Sequence, residues 1–207
     1  MDLGGSGPLI VPGTKLIIGG GKRGKLYLMS PNASGTYQFS NPQKVYDGPE
    51  EQINEPVCRT QGQFHIMGGP VHWKDPSGQS IVYVSAESSK IRAYKIDIAQ
   101  RTLQPFQQTV SKFSEHPGPI LSLSANGNRE GTGILWAVEA NRTDQNPFFD
   151  PAPGVIRAFN AQNLSQELWN SGTTLGIFAK FTPVTVANGK VYAPTFSGQL
   201  VVYGLAP

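Results

Sequence analysis

The stretch Thr182–Leu205, Thr-Pro-Val-Thr-Val-Ala-Asn-Gly-Lys-Val-Tyr-Ala-Pro-Thr-Phe-Ser-Gly-Gln-Leu-Val-Val-Tyr-Gly-Leu, decides the reading of the whole chain because it recurs. Lys190–Tyr203 lies without a gap over Ile81–Tyr94 and over Leu16–Met29. This places Tyr192 beside Tyr83, Leu200 beside Ile91 and Leu26, and Gln199 beside Lys90 and Lys25. Each copy reads as two alternating apolar runs joined by a Gly-containing turn, the pattern of half-buried strands in a hairpin.

Working outward, four units follow one another. The first has strands at Pro8–Pro12, Lys15–Gly20, Lys25–Ser30 and either Thr36–Ser40 or Gln43–Asp47. The second has Pro70–Trp73, Ser80–Ala86, Lys90–Asp97 and Leu103–Val110, and the third Pro119–Ala125, Gly133–Ala140, Val155–Asn160 and Gln166–Asn170. The last has Pro183–Asn188, Lys190–Thr195 and Gln199–Leu205. Each first strand is announced by a Pro after a Gly-rich or polar approach, at Pro8, Pro70, Pro119 and Pro183. Gly lets backbones crowd together, and Pro at a strand's first residue loses no ladder donor. Crowding is what the centre of a β-propeller imposes, and four-stranded units of roughly 40–50 residues are the period of propeller blades. The expected fold is therefore all-β, about four blades in a single unit over 1–207 (approximately 8–47, 69–110, 118–171 and 182–205). A β-sandwich with fortuitous self-similarity is the alternative.

Composition narrows the function classes. With 24 Gly, 17 Pro and only 15% charged residues, the chain suits many short strands joined by turns. Its net charge of +3 comes from scattered basic residues, which argues against a nucleic-acid partner. Cys58 is the single cysteine, so an internal disulfide and a thiolate-rich metal site are excluded. No apolar run approaches the ~20 residues of a membrane helix. The start Met-Asp-Leu-Gly-Gly lacks the regions of a signal peptide, so a soluble, unexported chain is expected, or a periplasmic or secreted one if it was cut from a longer parent.

Leu-Ile-Ile-Gly-Gly-Gly-Lys-Arg-Gly-Lys-Leu-Tyr-Leu-Met (16–29), His-Ile-Met-Gly-Gly-Pro-Val-His-Trp (65–73), Leu-Ser-Leu-Ser-Ala-Asn-Gly (121–127), Gly-Thr-Gly-Ile-Leu-Trp-Ala (131–137) and Val-Ala-Asn-Gly-Lys-Val-Tyr (186–192) resemble bacterial quinoprotein-like propellers with PQQ-type repeats. Val155–Trp169 is similar to that family's tryptophan-docking motif, which implies that Trp169 packs between neighbouring blades, with Phe106 near the corresponding place in the second unit. Family members commonly carry eight blades, so this chain resembles a C-terminal half. An isolated arc leaves two apolar sheet faces in water, and two copies about a twofold axis would cover them; a homodimer is expected, with a compact four-blade ring or an unstable fragment as the alternative. The resemblance also suggests PQQ and Ca²⁺ as cofactors of a dehydrogenase-like oxidoreductase. Cys58, however, has no neighbouring Cys, and the family's metal-ligating carboxylate and amide have no matching positions here.

In a propeller the approaches to the inner strands converge on the central channel. That logic gathers Asp2, His65, Met67, His116 and Lys180 at the channel mouth, each just before its blade's leading Pro. Imidazoles around a channel suit a divalent metal, but the three histidines show no ligand spacing, and polar residues lining a wet channel are the ordinary reading. Paired carboxylates can divide acid and base roles in hydrolysis of a carbohydrate or ester. Glu87, Glu115 and Glu139, with His116, are the candidates, against the plain expectation of solvated turn carboxylates. The run Gly19–Gly24 superficially suggests a phosphate cradle, yet it joins two strands and reads as a tight hairpin. The insertion Asn141–Pro153 carries Phe148 and Phe149, suited either to a ligand or partner or to folding back on the blade. The segment Gly48–Gln63 reads as a long inter-blade crossing, or alternatively as a rim or dimer contact. A binding or scaffold role, with a small molecule or carbohydrate as ligand, is the function expected.

Overall fold

The computed structural model describes residues 5–40, 42–46, 64–141 and 151–205. Every regular element among them is a β-strand, and no helix there is long and apolar enough to cross a membrane. The strands form four antiparallel sheets, each taking its strands largely in chain order. Sheet 1 holds β1 (Leu9–Ile10), β2 (Ile17–Gly20), β3 (Lys25–Pro31) and β4 (Tyr37–Phe39), with β5 (Gln43–Lys44) also on β3. Both alternatives for the fourth strand thus pair with β3, at opposite ends. Sheet 2 holds β6 (Val71–Lys74), β7 (Ser80–Val84), β8 (Arg92–Asp97) and β9 (Thr102–Gln108). Sheet 3 holds β10 (Ile120–Ser124), β11 (Ile134–Ala140), β12 (Gly154–Asn160) and β13 (Asn163–Asn170). Sheet 4 holds β14 (Thr185–Ala187), β15 (Lys190–Pro194) and β16 (Leu200–Gly204).

Strand alternation sends successive side chains to opposite faces, so sheets 2 and 3 each have one face toward the preceding sheet and one toward the following sheet. Three apolar cores result. Ile18, Leu26 and Leu28 of sheet 1 meet Val82, Val84, Tyr94 and Ile96 of sheet 2. Trp73, Tyr83, Ile91 and Ala93 of sheet 2 meet Leu121, Leu135, Ala137 and Phe159 of sheet 3. Trp136, Val138, Ile156 and Ala158 of sheet 3 meet Val184, Val191 and Ala193 of sheet 4. Full burial of each large aliphatic side chain contributes about 1.5–3 kcal/mol, so these faces hold the stack together. Polar ties add register. Tyr83 Oη and Gln107 Nε2 both donate to the Ala161 carbonyl, at 2.8 and 3.0 Å, and the Leu164 N–H donates back to Gln107 Oε1 at 3.0 Å.

The first strands of successive sheets are neighbours, β6 beside β10 and β10 beside β14, and β9 neighbours β13. Glycines make the approach close. A Cβ on Gly118 would stand 3.1 Å from the Glu87 nitrogen, and one on Gly69 3.4 Å from the Gly7 carbonyl oxygen. The run Gly19–Gly24 is the β2–β3 hairpin, closed by a Gly24 N–H donating to the Gly21 carbonyl. Gly24 has φ +61, and a Cβ there would meet the Phe64 carbonyl and the Tyr46 ring, both at 2.7 Å.

Trp169 packs edge to face against Trp136 of its own sheet and Tyr203 of the next, with ring centroids 6.4 and 5.3 Å away. Trp169 pairs with Ala158. In sheet 2 Gln107, next to Phe106, takes the pairing position opposite Ala93. A register shift beside Ala93 and Tyr94 skips Phe106, which is 41% exposed beneath the Lys95 ammonium.

Candidate functional site

Three chain segments meet where the first strands begin. His65 lies on the approach to β6, Glu87 just past β7, and His116 on the approach to β10. Backbone bonds fix the junction: the Glu87 N–H donates to the His65 carbonyl at 3.0 Å, and the Ser88 N–H to the Ser114 carbonyl at 3.0 Å. Ser85 Oγ donates to the Pro119 carbonyl at 2.5 Å. These bonds drive Glu87 into the interior, where it is only 2% exposed. The expectation of a solvated turn carboxylate is therefore corrected, because the turn after β7 is covered by two neighbouring approaches.

Both carboxylate oxygens of Glu87 face imidazoles. His116 Nδ1 donates to Oε1 at 2.6 Å. His65 Nδ1 stands 2.9 Å from Oε2, close enough for charge pairing but off the axis of an aligned hydrogen bond. Burial alone would push the Glu87 carboxyl up; the two imidazoles outweigh it and hold the group below its ordinary 4.5.

Phe181 packs edge to face on the His116 ring at 5.6 Å while remaining 52% exposed. Its φ of +64 is rarely adopted by an aromatic residue, and Ser88 beside Glu87 has φ +51. Backbone strain of this kind costs about 1–3 kcal/mol per residue and gathers at functional sites. Phe181 escaped the sequence reading, since nothing in Lys180-Phe181-Thr182 marks a left-handed backbone; its one signal is a place just before the leading Pro183.

Lys180 is next to Phe181 and partly buried, and Met67 lies beside Gly5, where a Cβ would come within 2.9 Å of its sulfur. Glu115 is exposed, its carbonyl accepting the Gly118 N–H. Glu139, at the end of β11, is 4% exposed and again no solvated turn carboxylate. Its Oε2 accepts the Ser114 N–H at 2.8 Å and its Oε1 pairs with Arg157 Nε at 2.9 Å. Burial pushes its carboxyl up, only partly offset by those two partners. Glu139 therefore anchors the segment that carries His116. His72, within β6, bonds Ser80 Oγ through Nε2 at 2.8 Å, away from the cluster in sequence and pairing. Asp2, Cys58, Phe148 and Phe149 lie outside the described residues. Among the described residues no group of three or more His, Cys, Asp or Glu side chains is arranged to hold a metal ion.

No protein-family model and no curated protein matches the chain. A crystal structure of a Lactobacillus plantarum protein, a structural-genomics target, is similar with a TM-score of 0.36 and 14% identity, over 91% of this chain and 67% of that one. A likeness so loose carries no argument about fold or function.

Proposed function

We propose that this chain is a segment of a quinoprotein-like β-propeller, completed by self-association, that works as a binding module through the mouth formed by His65, Glu87, His116 and Phe181. Four antiparallel sheets packed face to face, with neighbouring first strands and glycine-mediated crowding there, support the propeller reading. The observation that carries the binding role is the exposed Phe181 ring fixed against an imidazole that a buried carboxylate holds in place. An exposed apolar ring face beside polar side chains suits a small neutral ligand with the same division, and a sugar ring has it. The enzyme reading, as hydrolase or quinone-dependent oxidoreductase, has less behind it. Glu87 has both oxygens against imidazoles and a lowered pKa, which suits an anchor better than a general acid.

Saturation-transfer NMR on the full chain with a panel of neutral mono- and disaccharides tests the binding role. Transfer to at least one sugar, lost in Phe181→Ala, is expected. No transfer from any member, or transfer unchanged in Phe181→Ala, would remove this site from the role.

A further inference from the structure

The repeat gives each outer sheet face a counterpart inside the stack. Leu200, Val202 and Tyr192 of sheet 4 align with Ile91, Ala93 and Tyr83 of sheet 2 and with Leu26, Leu28 and Ile18 of sheet 1. All six counterparts are at most 1% exposed, each covered by the following sheet. Leu200 and Val202 are 61% and 47% exposed on a face opposite the core that sheet 4 shares with sheet 3. At the other end, Ile17, Gly19 and Met29 of sheet 1 align with Val82, Val84 and Tyr94 of sheet 2, which are buried against the preceding sheet. Register puts Ile10 opposite Ile17 and Phe39 opposite Met29 on that face, and they are 66% and 59% exposed.

Sheet 4 therefore presents a face whose equivalents are all covered by a following sheet, and sheet 1 presents a face whose equivalents are all covered by a preceding one. The two faces do not cover each other within the chain, because both remain exposed. Each continues the established series of sheet-to-sheet cores, and the surface that complements sheet 4 by position is the open face of sheet 1. Resting on the propeller-segment reading, we infer that the occupant is a second copy of this chain, with Leu200 and Val202 of each protomer packed on the Ile10, Met29 and Phe39 face of the other. Two such contacts about a twofold axis use up both open faces and stop the assembly at a dimer, whereas one contact repeated without closure would grow a filament. Packing an open apolar sheet face also removes an aggregation hazard.

The test is the solution mass of the full chain by light scattering over a dilution series. A mass near twice the 22.3 kDa of one chain is expected. Leu200→Lys alone and Phe39→Glu alone should each raise the dissociation concentration by roughly tenfold or more. Circular dichroism should stay unchanged, because both side chains are exposed in the protomer. Mixing the two variants should restore the dimer, since one contact then pairs Lys with Glu and the other is unaltered. A monomeric wild-type chain, or a dimer indifferent to both substitutions, would overturn the inference. Singly weakened variants that fail to recover on mixing would overturn the pairing of sheet 1 with sheet 4. The binding role fails separately: a monomer that still shows saturation transfer to a sugar overturns the association alone.

Discussion

Ile91 and Leu200 occupy the same position of the repeat, yet one is fully buried and the other 61% exposed. Ile91 lies in the core between sheets 2 and 3; Leu200 lies on the outer face of sheet 4. The difference teaches that the repeat sets which way each side chain points, while the neighbour decides what that direction is worth. Inner sheets are stabilised on both faces and outer sheets on one.

The largest expected effect sharpens this contrast. Ile91→Ala should destabilise the protomer by about 2–5 kcal/mol, as buried large-to-small changes do. Leu200→Ala in dilute protein should fall within about 0.5 kcal/mol of wild type. Urea unfolding checks both, and the cost of Leu200→Ala should grow with protein concentration as association buries the site. Equal costs in dilute protein would break the contrast.

Gly118→Ala comes next. Its φ of +74 and the 3.1 Å from a Cβ to the Glu87 nitrogen combine strain with collision, so a loss of about 1–3 kcal/mol is expected. The same change at Gly127, with φ +59 but open space around a Cβ, should cost less, and the melting temperatures of the two variants compare them.

Glu87 and Glu139 extend the contrast to charge. Glu87→Gln should cost about 1–3 kcal/mol, because it removes the ionised acceptor between two imidazoles. Glu139→Gln should cost less, since ionised Glu139 is already disfavoured by burial and Arg157 keeps Glu167 at 3.1 Å. Their pH dependences have opposite signs. The folded pKa of Glu87 is lowered, so its contribution is present above the ordinary 4.5 and is lost as pH falls through the lowered value. That of Glu139 is raised, so its relative stabilisation is full below 4.5 and is lost as pH rises through the raised value. Urea midpoints measured from acid to neutral pH should therefore lose part of the acid-side decline in Glu87→Gln, and part of the loss above 4.5 in Glu139→Gln.

Much of the fold was legible because its signals are local. Alternation, turn glycines and leading prolines recur within each unit, and the observed strands fall inside the spans read from them, to within a residue or a few. Beside Phe106 a bulge pairs Gln107 with Ala93 and leaves Phe106 unpaired and exposed, a detail no alternation reports. At the site, shared placement before the leading prolines brought His65 and His116 into one group. The burial of Glu87 between them was not legible, because it depends on approaches from two other parts of the chain covering one turn. Phe181 was missed for the same reason, its left-handed backbone having no local cause.

The most direct test of the binding mouth is the imidazole ¹⁵N spectrum of the full chain, recorded with and without a sugar that shows saturation transfer. His116 should carry a proton on Nδ1 toward Glu87, its resonances should move on adding the sugar, and those of His72 should stay in place. A His116 Nδ1 without a proton, or a response confined to His72, would contradict the account.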